Sequence, residues 1–350
     1  MSGKSMNNTA RPAAARESRR KTVLLAVISV VVVALPLALI KIGVIDVYTA
    51  HIITMGGVNA IMAMSVNTIV GITGQLSLGQ AGFLAIGAYS CIFFNLDLGL
   101  PLPFAALCAT LLTTVAGFLI GFPVLKLSGD YLAIVTLGFG EIIRVVFINL
   151  KALTGGPNGR QFTTVMVLNG EVAFVVVIVM LIIILALLQN FLRSSYGRAI
   201  MACREDEIAA NSCGINIFRY KMTGFVIASF IAGLGGSLYA MVVGFVKPDI
   251  AQFLRSIDFL IYVVLGGMGS MTGSIISAYI LTYLQEFLRF LQDYRLLIYP
   301  LILIFIMLFR PKGLLGMKEF SFVKTFDLLV KRGRAAAAGI NAGGRGEKHG

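Results

Sequence analysis

The 350-residue chain has a mean hydropathy of +0.90, and 13% of its residues are charged, about half of the share usual in soluble domains. Uncharged segments such as Thr22–Ile40, Val172–Leu192 and Met222–Val246 are long enough to cross about 30 Å of hydrocarbon. These features exclude a soluble two-domain protein, and a membrane β-barrel would show short alternating segments instead. The sequence therefore predicts an all-α, polytopic helical membrane protein.

The net charge of +13 is concentrated in three regions. Residues 1–21 hold six Lys/Arg against one acid, residues 310–350 hold nine against three, and residues 193–221 hold five against three. These three regions account for the whole net charge, so the rest of the chain is neutral. Lys and Arg concentrate in the cytoplasmic regions of membrane proteins. We therefore expect both termini and the 193–221 loop to be cytoplasmic, with no nucleic-acid partner.

The predicted transmembrane domain spans residues 22–310. Its segments are Thr22–Ile40, Tyr48–Val70, a third segment ending at Leu96, Phe104–Leu125, Tyr131–Ile148, Glu171–Leu192, Lys221–Val246, an interrupted block Asp258–Leu288 and a short block Leu296–Phe309. If the interrupted block crosses twice, the basic C-terminal tail returns to the cytoplasm, which favours about ten crossings; eight and nine remain alternatives.

Both tails are predicted to lie outside the membrane-spanning domain. Residues 1–21 are polar and Ala/Arg-rich, which is typical of a disordered segment. In the C-terminal tail, 311–350, the stretch 318–334 alternates apolar and basic residues. It predicts either an interfacial helix or a plain basic flank, followed by a low-complexity disordered end.

Two glycine-rich interruptions share the pattern G-x-x-G-x-[LM]-[ST], at 71–77 and 266–272. Paired interruptions in a transporter mark the substrate region, because unwound backbone can line a cavity. The alternative is close helix packing through small residues. The candidate pathway or broken-helix residues are Asn59, Asn67, Gly71, Gly74, Gln75, Ser77, Gln80, Gly266, Gly269 and Thr272.

Glu141 and Arg144 lie three residues apart within a predicted membrane helix. That spacing places them on one face, and charges in lipid must pair or face a polar cavity. They are predicted either to line a pathway or to form a structural ion pair.

The 193–221 loop predicts two short helices, Tyr196 to Arg204 and Glu205 to Cys213, with Gly214 as a left-handed stop. The chain has no G-x-x-x-x-G-K-[ST] motif for ATP, no catalytic motif and no metal-ligand spacing. Glu141 is the one clear buried acid, which weakens an ion-driven pump. The loop is therefore either a contact for a soluble partner or an ordinary connector.

Ala209, Ala210 and Gly214 form an A-A-x-x-x-G sequence that resembles the coupling motif of ABC importer permeases, with Ile208 in place of its usual glutamate. As a set, six stretches resemble the LivM-type permease subunit of branched-chain amino acid ABC importers: 59–89, 128–144, 153–159, 204–221, 263–273 and 309–316. Gln80 stands where that family often has histidine.

The resemblance implies one membrane subunit of a bacterial inner-membrane importer, with no enzymatic activity, cofactor or metal of its own. Its implied partners are a LivH-type permease, two ATP-binding subunits and a periplasmic solute-binding protein that carries leucine, isoleucine or valine. The implied ATPase-coupling residues are Arg204, Glu205, Asp206, Glu207, Ala209, Ala210 and Gly214. The alternatives are a permease for urea or short-chain amides of the same family, an ion-driven secondary transporter and, most distantly, a membrane enzyme.

Overall fold

The computed structural model describes residues 46–127, 129–310, 313, 314 and 316, all of which belong to one compact unit. The predicted first helix Thr22–Ile40, the tail 1–21 and nearly all of the tail 311–350 lie outside the described residues. The predicted count of about ten crossings, which includes Thr22–Ile40, stays a prediction.

The all-α prediction is confirmed. Thirteen α-helices occur in the described part of the chain: α1 Val47–Asn67, α2 Gln80–Ile92, α3 Leu102–Val124, α4 Asp130–Asn149, α5 Lys151–Thr154, α6 Val165–Leu168, α7 Gly170–Arg193, α8 Ser195–Glu205, α9 Glu207–Ser212, α10 Ile217–Val243, α11 Phe253–Gly266, α12 Met271–Phe287 and α13 Arg295–Phe309. Single π turns extend α1 over Thr68–Ile72 and α2 over Phe93–Asp97. Short 3₁₀ segments lie at Gly156–Asn158, Pro248–Ala251 and Leu288–Tyr294. A two-residue antiparallel pair joins β1, Arg160–Gln161, to β2, Phe245–Val246.

Five of these helices are long and apolar enough to cross a membrane: α1 with its π turn, α3, α4, α7 and α10. In the most apolar window of α1, 83% of the residues are buried, whereas in α4 the share is 22%. Helices α1 and α10 therefore form the centre of the bundle. Helices α3, α4 and α7 leave large apolar faces for lipid or for another protein chain.

The bundle has two distinct ends. Helix α10 has 27 residues and so spans about 40 Å. It begins beside α8 and α9, and we call this the loop end. It ends at Val243, and Gly244 then leads into the β1–β2 pair; we call this the far end. Helix α1 runs towards the loop end, while α4 starts near the loop end and runs towards the far end.

Close packing of small residues holds the central helices together. A Cβ atom at Gly87 in α2 would overlap the carbonyl oxygen of Gly233 in α10. A Cβ at Gly236 would likewise overlap the carbonyl oxygen of Leu84. Backbones can approach this closely only where side chains are absent. Small residues therefore set the spacing between α2 and α10, two helices outside the glycine-rich interruptions for which such packing was considered.

The interrupted block starts earlier than the sequence analysis predicted. Helix α11 begins at Phe253 rather than at Asp258. Gln252 is extended, and the Glu141 carboxylate accepts a hydrogen bond from the Phe253 backbone N–H at 3.2 Å. This contact from α4 supplies an acceptor for an otherwise unpaired first-turn donor, which explains the earlier start.

Candidate coupling site

The predicted pair of loop helices is confirmed as α8 and α9. The Ser194 hydroxyl caps α8 by accepting from Gly197 N at 3.3 Å. The Asp206 carboxylate caps α9 by accepting from Ile208 N at 2.9 Å and Ala209 N at 3.0 Å. Glu205 ends α8, so it does not open α9 as predicted; the extended backbone of Asp206 separates the two helices. Gly214 follows with a φ of 81°, the left-handed stop that the sequence predicted.

One face of α9 packs inward and the other is open. Ala210 is buried, and Glu207 forms a 2.5 Å ion pair with Lys221 at the start of α10. Ile208, in contrast, is 81% exposed, and Ala209 is exposed beside it. The open face of α9 therefore presents Ile208 and Ala209 to solvent. In the sequence, Ile208 is notable only as the replacement for the usual glutamate.

The inner face of α8 packs against the first glycine-rich break. Burial raises the pKa of the Cys203 thiol, which keeps it a neutral packing group in this face. Arg204, half-buried beside it, donates a hydrogen bond from Nη1 to the buried carbonyl oxygen of Gly71. The Cγ atom of Arg204 also lies close to Gly74, 3.0 Å from where a Cβ atom would stand if that residue had one. Gly74 has a φ of 71°. The α8 helix is therefore tied directly to the end of α1.

The second break meets the first at the same point. Gly269 N donates to the Asn67 side-chain oxygen at 2.8 Å, and Arg204 Nη1 lies 3.2 Å from the position of a Cβ at Gly269. On the other side, the backbone N–H of Leu314 donates to the Leu265 carbonyl at 2.7 Å. Both breaks, α8 and the segment after α13 thus converge at the loop end.

The other predicted broken-helix residues lie away from Arg204 or have separate partners. Asn59 Nδ2 donates to Thr282 Oγ1 at 2.9 Å, and the Gln75 side chain accepts from the Thr73 hydroxyl at 3.2 Å. Gly266 packs against Gly273, and the Thr272 and Ser270 hydroxyls are 3.5 Å apart.

Ser77 and Gln80 are buried where the chain re-enters the bundle at the start of α2. The Gln80 side-chain oxygen accepts from the Ser65 hydroxyl at 3.0 Å. Among the described residues, neither Ser77 Oγ nor Gln80 Nε2 has a hydrogen-bond partner. Both atoms are therefore buried next to the first break.

Glu141 and Arg144 form the predicted ion pair, with Arg144 Nε 2.7 Å from Glu141 Oε2. Their side chains are 31% and 28% exposed on α4, the helix with the least buried span. The Glu141 carboxylate also accepts from Phe253 N, so it joins α4 to the start of α11. This contact supports a structural role. Whether the pair also lines a pathway stays a prediction.

Neutralising either charge of this pair, by Glu141→Gln or Arg144→Gln, should reduce the amount of assembled protein or its transport. The remaining charge would lack its partner in a low-dielectric setting. The swapped pair, Glu141→Arg with Arg144→Glu, should recover only part of the loss, because arginine at 141 cannot accept the Phe253 N–H. Membrane abundance and uptake measure the effect. Wild-type behaviour of all three variants would contradict any role for the pair.

Taken together, the apolar bundle, the interrupted helices and the polar helix pair tied to them define a polytopic membrane protein of the transporter type. Residues 48–307 match the family described as branched-chain amino acid transport system / permease component. The chain belongs to this family.

Curated relatives agree with this assignment. The high-affinity branched-chain amino acid transport system permease protein LivM of Escherichia coli K12 is 39% identical, over 77% of this chain and 70% of the relative. The LivM protein of Salmonella typhimurium gives the same values. The permease protein BraD of Pseudomonas aeruginosa is 26% identical over 76% of this chain and 94% of its own length. No solved structure shows significant similarity to the chain.

Proposed function

We propose that this chain is one of the two membrane subunits of a bacterial ABC importer for leucine, isoleucine or valine. In this proposal it pairs with a LivH-type permease in the inner membrane. Two ATP-binding subunits dock at the loop end, and a periplasmic solute-binding protein delivers the substrate to the far end. The termini and the 193–221 loop then lie in the cytoplasm, where the concentration of Lys and Arg favours them.

The contact between Arg204 and both glycine-rich breaks is the observation that carries the proposal. An ATP-binding subunit that contacts the exposed Ile208 and Ala209 would displace α9 and, through the short Asp206 connection, α8. Because Arg204 holds the Gly71 carbonyl and abuts Gly269, this displacement reaches α1 and α12 together. Backbone with positive φ at Gly74 and Gly269 supplies the local freedom to move.

Reconstitution of the complete importer in lipid vesicles tests the proposed function. Uptake of labelled L-leucine should require ATP and the binding protein, and it should stop when ATP is removed while a proton gradient is maintained. Uptake that follows an ion gradient without any ATP-binding subunit would support a secondary transporter instead. Uptake of urea or acetamide in place of leucine would support the amide branch of the family.

A further inference from the structure

A cleft at the far end of the bundle holds four charged side chains that no role assigned above uses. It has a volume of about 440 Å³ and lies between the end of α10 and the segment 245–258. This volume is within the range of about 300–1,000 Å³ that ligand pockets occupy. Its charged lining consists of two cations, Lys247 and Arg255, and two carboxylates, Asp249 and Asp258. The formal charges cancel, so the cleft is neutral as a whole but strongly dipolar.

These four charges are only loosely paired with one another. Arg255 Nη1 is 4.0 Å from Asp258 Oδ2, whereas both Arg160–Asp97 contacts at the same end are 2.7 Å. Within the described residues, the Asp249 carboxylate accepts a single hydrogen bond, from Gln252 Nε2 at 3.3 Å. Lys247 lies over the Phe245 ring, 5.5 Å from its centroid, and forms no ion pair with any carboxylate of the described residues. A cation and an anion thus remain available to a ligand.

Apart from Gln252, the rest of the cleft is lined mainly by apolar and aromatic side chains. Val243 at the end of α10, Ile250 in the 3₁₀ turn and Leu254 in the first turn of α11 contribute aliphatic surface next to the charges. A site that offers a cation, an anion and an aliphatic wall complements a molecule with a carboxylate, an ammonium group and a branched hydrocarbon chain. Urea and short-chain amides carry no charges, so they would leave these four groups without partners.

We propose that this cleft is the first binding site for a zwitterionic, aliphatic amino acid on the membrane subunit. Arg255 and Lys247 bind the carboxylate, Asp249 and Asp258 bind the ammonium group, and Val243, Ile250 and Leu254 contact the side chain. The proposal rests on the proposed function, because it assumes that the substrate arrives at the far end. Helix α11 then links the site to the second break, since it starts in the cleft and ends at Gly266.

The test uses the assembled complex of both permeases and both ATP-binding subunits in lipid nanodiscs, without the binding protein. Labelled L-leucine should bind to the wild type and be displaced by L-valine but not by acetamide. Arg255→Gln and Asp249→Asn should each weaken binding by about ten-fold or more, the usual effect of losing a charge-assisted hydrogen bond. Asp249 lies on an exposed turn, so its variant should fold even if Arg255→Gln does not. Lys151→Gln, at an exposed lysine of the same end outside the cleft, is the matched control.

Two further measurements separate this proposal from the others. If Asp249→Asn binds leucine like the wild type but the binding protein no longer stimulates ATP hydrolysis, the cleft contacts a protein partner, and the ligand site is overturned. Wild-type complex that binds no leucine, or variants that bind it as tightly as wild type, would also overturn it. Failure of the proposed function is measured separately: the wild-type importer would then show no ATP-dependent leucine uptake in vesicles.

Discussion

Replacing Arg204 with alanine should reduce ATP-driven uptake at least ten-fold, while the complex still assembles and hydrolyses ATP. The substitution removes the donor to the Gly71 carbonyl and the atoms that contact the positions of Gly74 and Gly269. The Gly71 carbonyl is buried, and leaving it without a donor costs about 1–3 kcal/mol. More importantly, α8 would lose its hydrogen bond to the first break and its side-chain contact with the second. Movement of the loop helices would then reach α1 and α12 far less effectively.

Uptake and ATP hydrolysis, measured on the same vesicles, give the ratio that reports this loss of coupling. Arg204→Lys keeps the charge but replaces the several N–H donors of the planar guanidinium with a single ammonium group. It should therefore retain part of the uptake. Arg219→Ala is the control, because Arg219 is an exposed arginine of the same loop. Its hydrogen bond to Asn216 comes from the backbone N–H, which the substitution keeps. Equal ratios for Arg204→Ala and Arg219→Ala would rule out Arg204 as the connection.

Substitution of Gly71 by alanine should reduce the amount of folded protein severely, and with it transport. The added methyl group would overlap both the Asn67 side-chain oxygen and the backbone nitrogen of Gly269. The Asn67 oxygen cannot simply turn away, because it accepts the Gly269 N–H at 2.8 Å. Overpacking a tight contact costs about 1–3 kcal/mol, and here it also separates the two breaks.

Thermal stability by size-exclusion chromatography after heating measures this effect. Gly138→Ala provides the matched control, because Gly138 lies inside α4 and a Cβ there meets nothing within 4 Å. It should be neutral or slightly stabilising, since alanine favours helix more than glycine by about 1 kcal/mol. If both alanine variants unfold at the wild-type temperature, the two breaks do not form the tight contact described above.

Local rules predicted the loop helices well. A run of acidic residues before Ala209 and a glycine at 214 are start and stop signals that depend only on neighbouring residues. The Glu141–Arg144 pair follows equally from helical spacing. Which acid caps α9 depends on backbone angles, and the charges of Glu205, Asp206 and Glu207 alone do not distinguish among them. The capping residue is Asp206, whose short side chain reaches two backbone N–H groups.

The convergence at Arg204 could not be predicted from the sequence. The pattern shared by the segments at 71–77 and 266–272 suggested related breaks, but no local property places them in contact or puts an arginine between them. That contact depends on how α1, α8 and α12 pack. The far-end cleft was missed for the same reason. Lys247, Asp249, Arg255 and Asp258 belong to a turn and a helix, and only the fold closes them around one space. Their alternating charges within twelve residues were the available signal.

The backbone contact between α2 and α10 restricts how this protein can change over evolutionary time. At Gly87 and Gly236 the helices already lie as close as two backbones can, and every other amino acid adds atoms at that point. A single substitution can therefore only push the helices apart, and no second substitution on the same contact can bring them closer than glycine allows. Descendants of this sequence can keep the distance between α2 and α10 or increase it, but they cannot shorten it. The present distance is therefore a lower limit for natural variants.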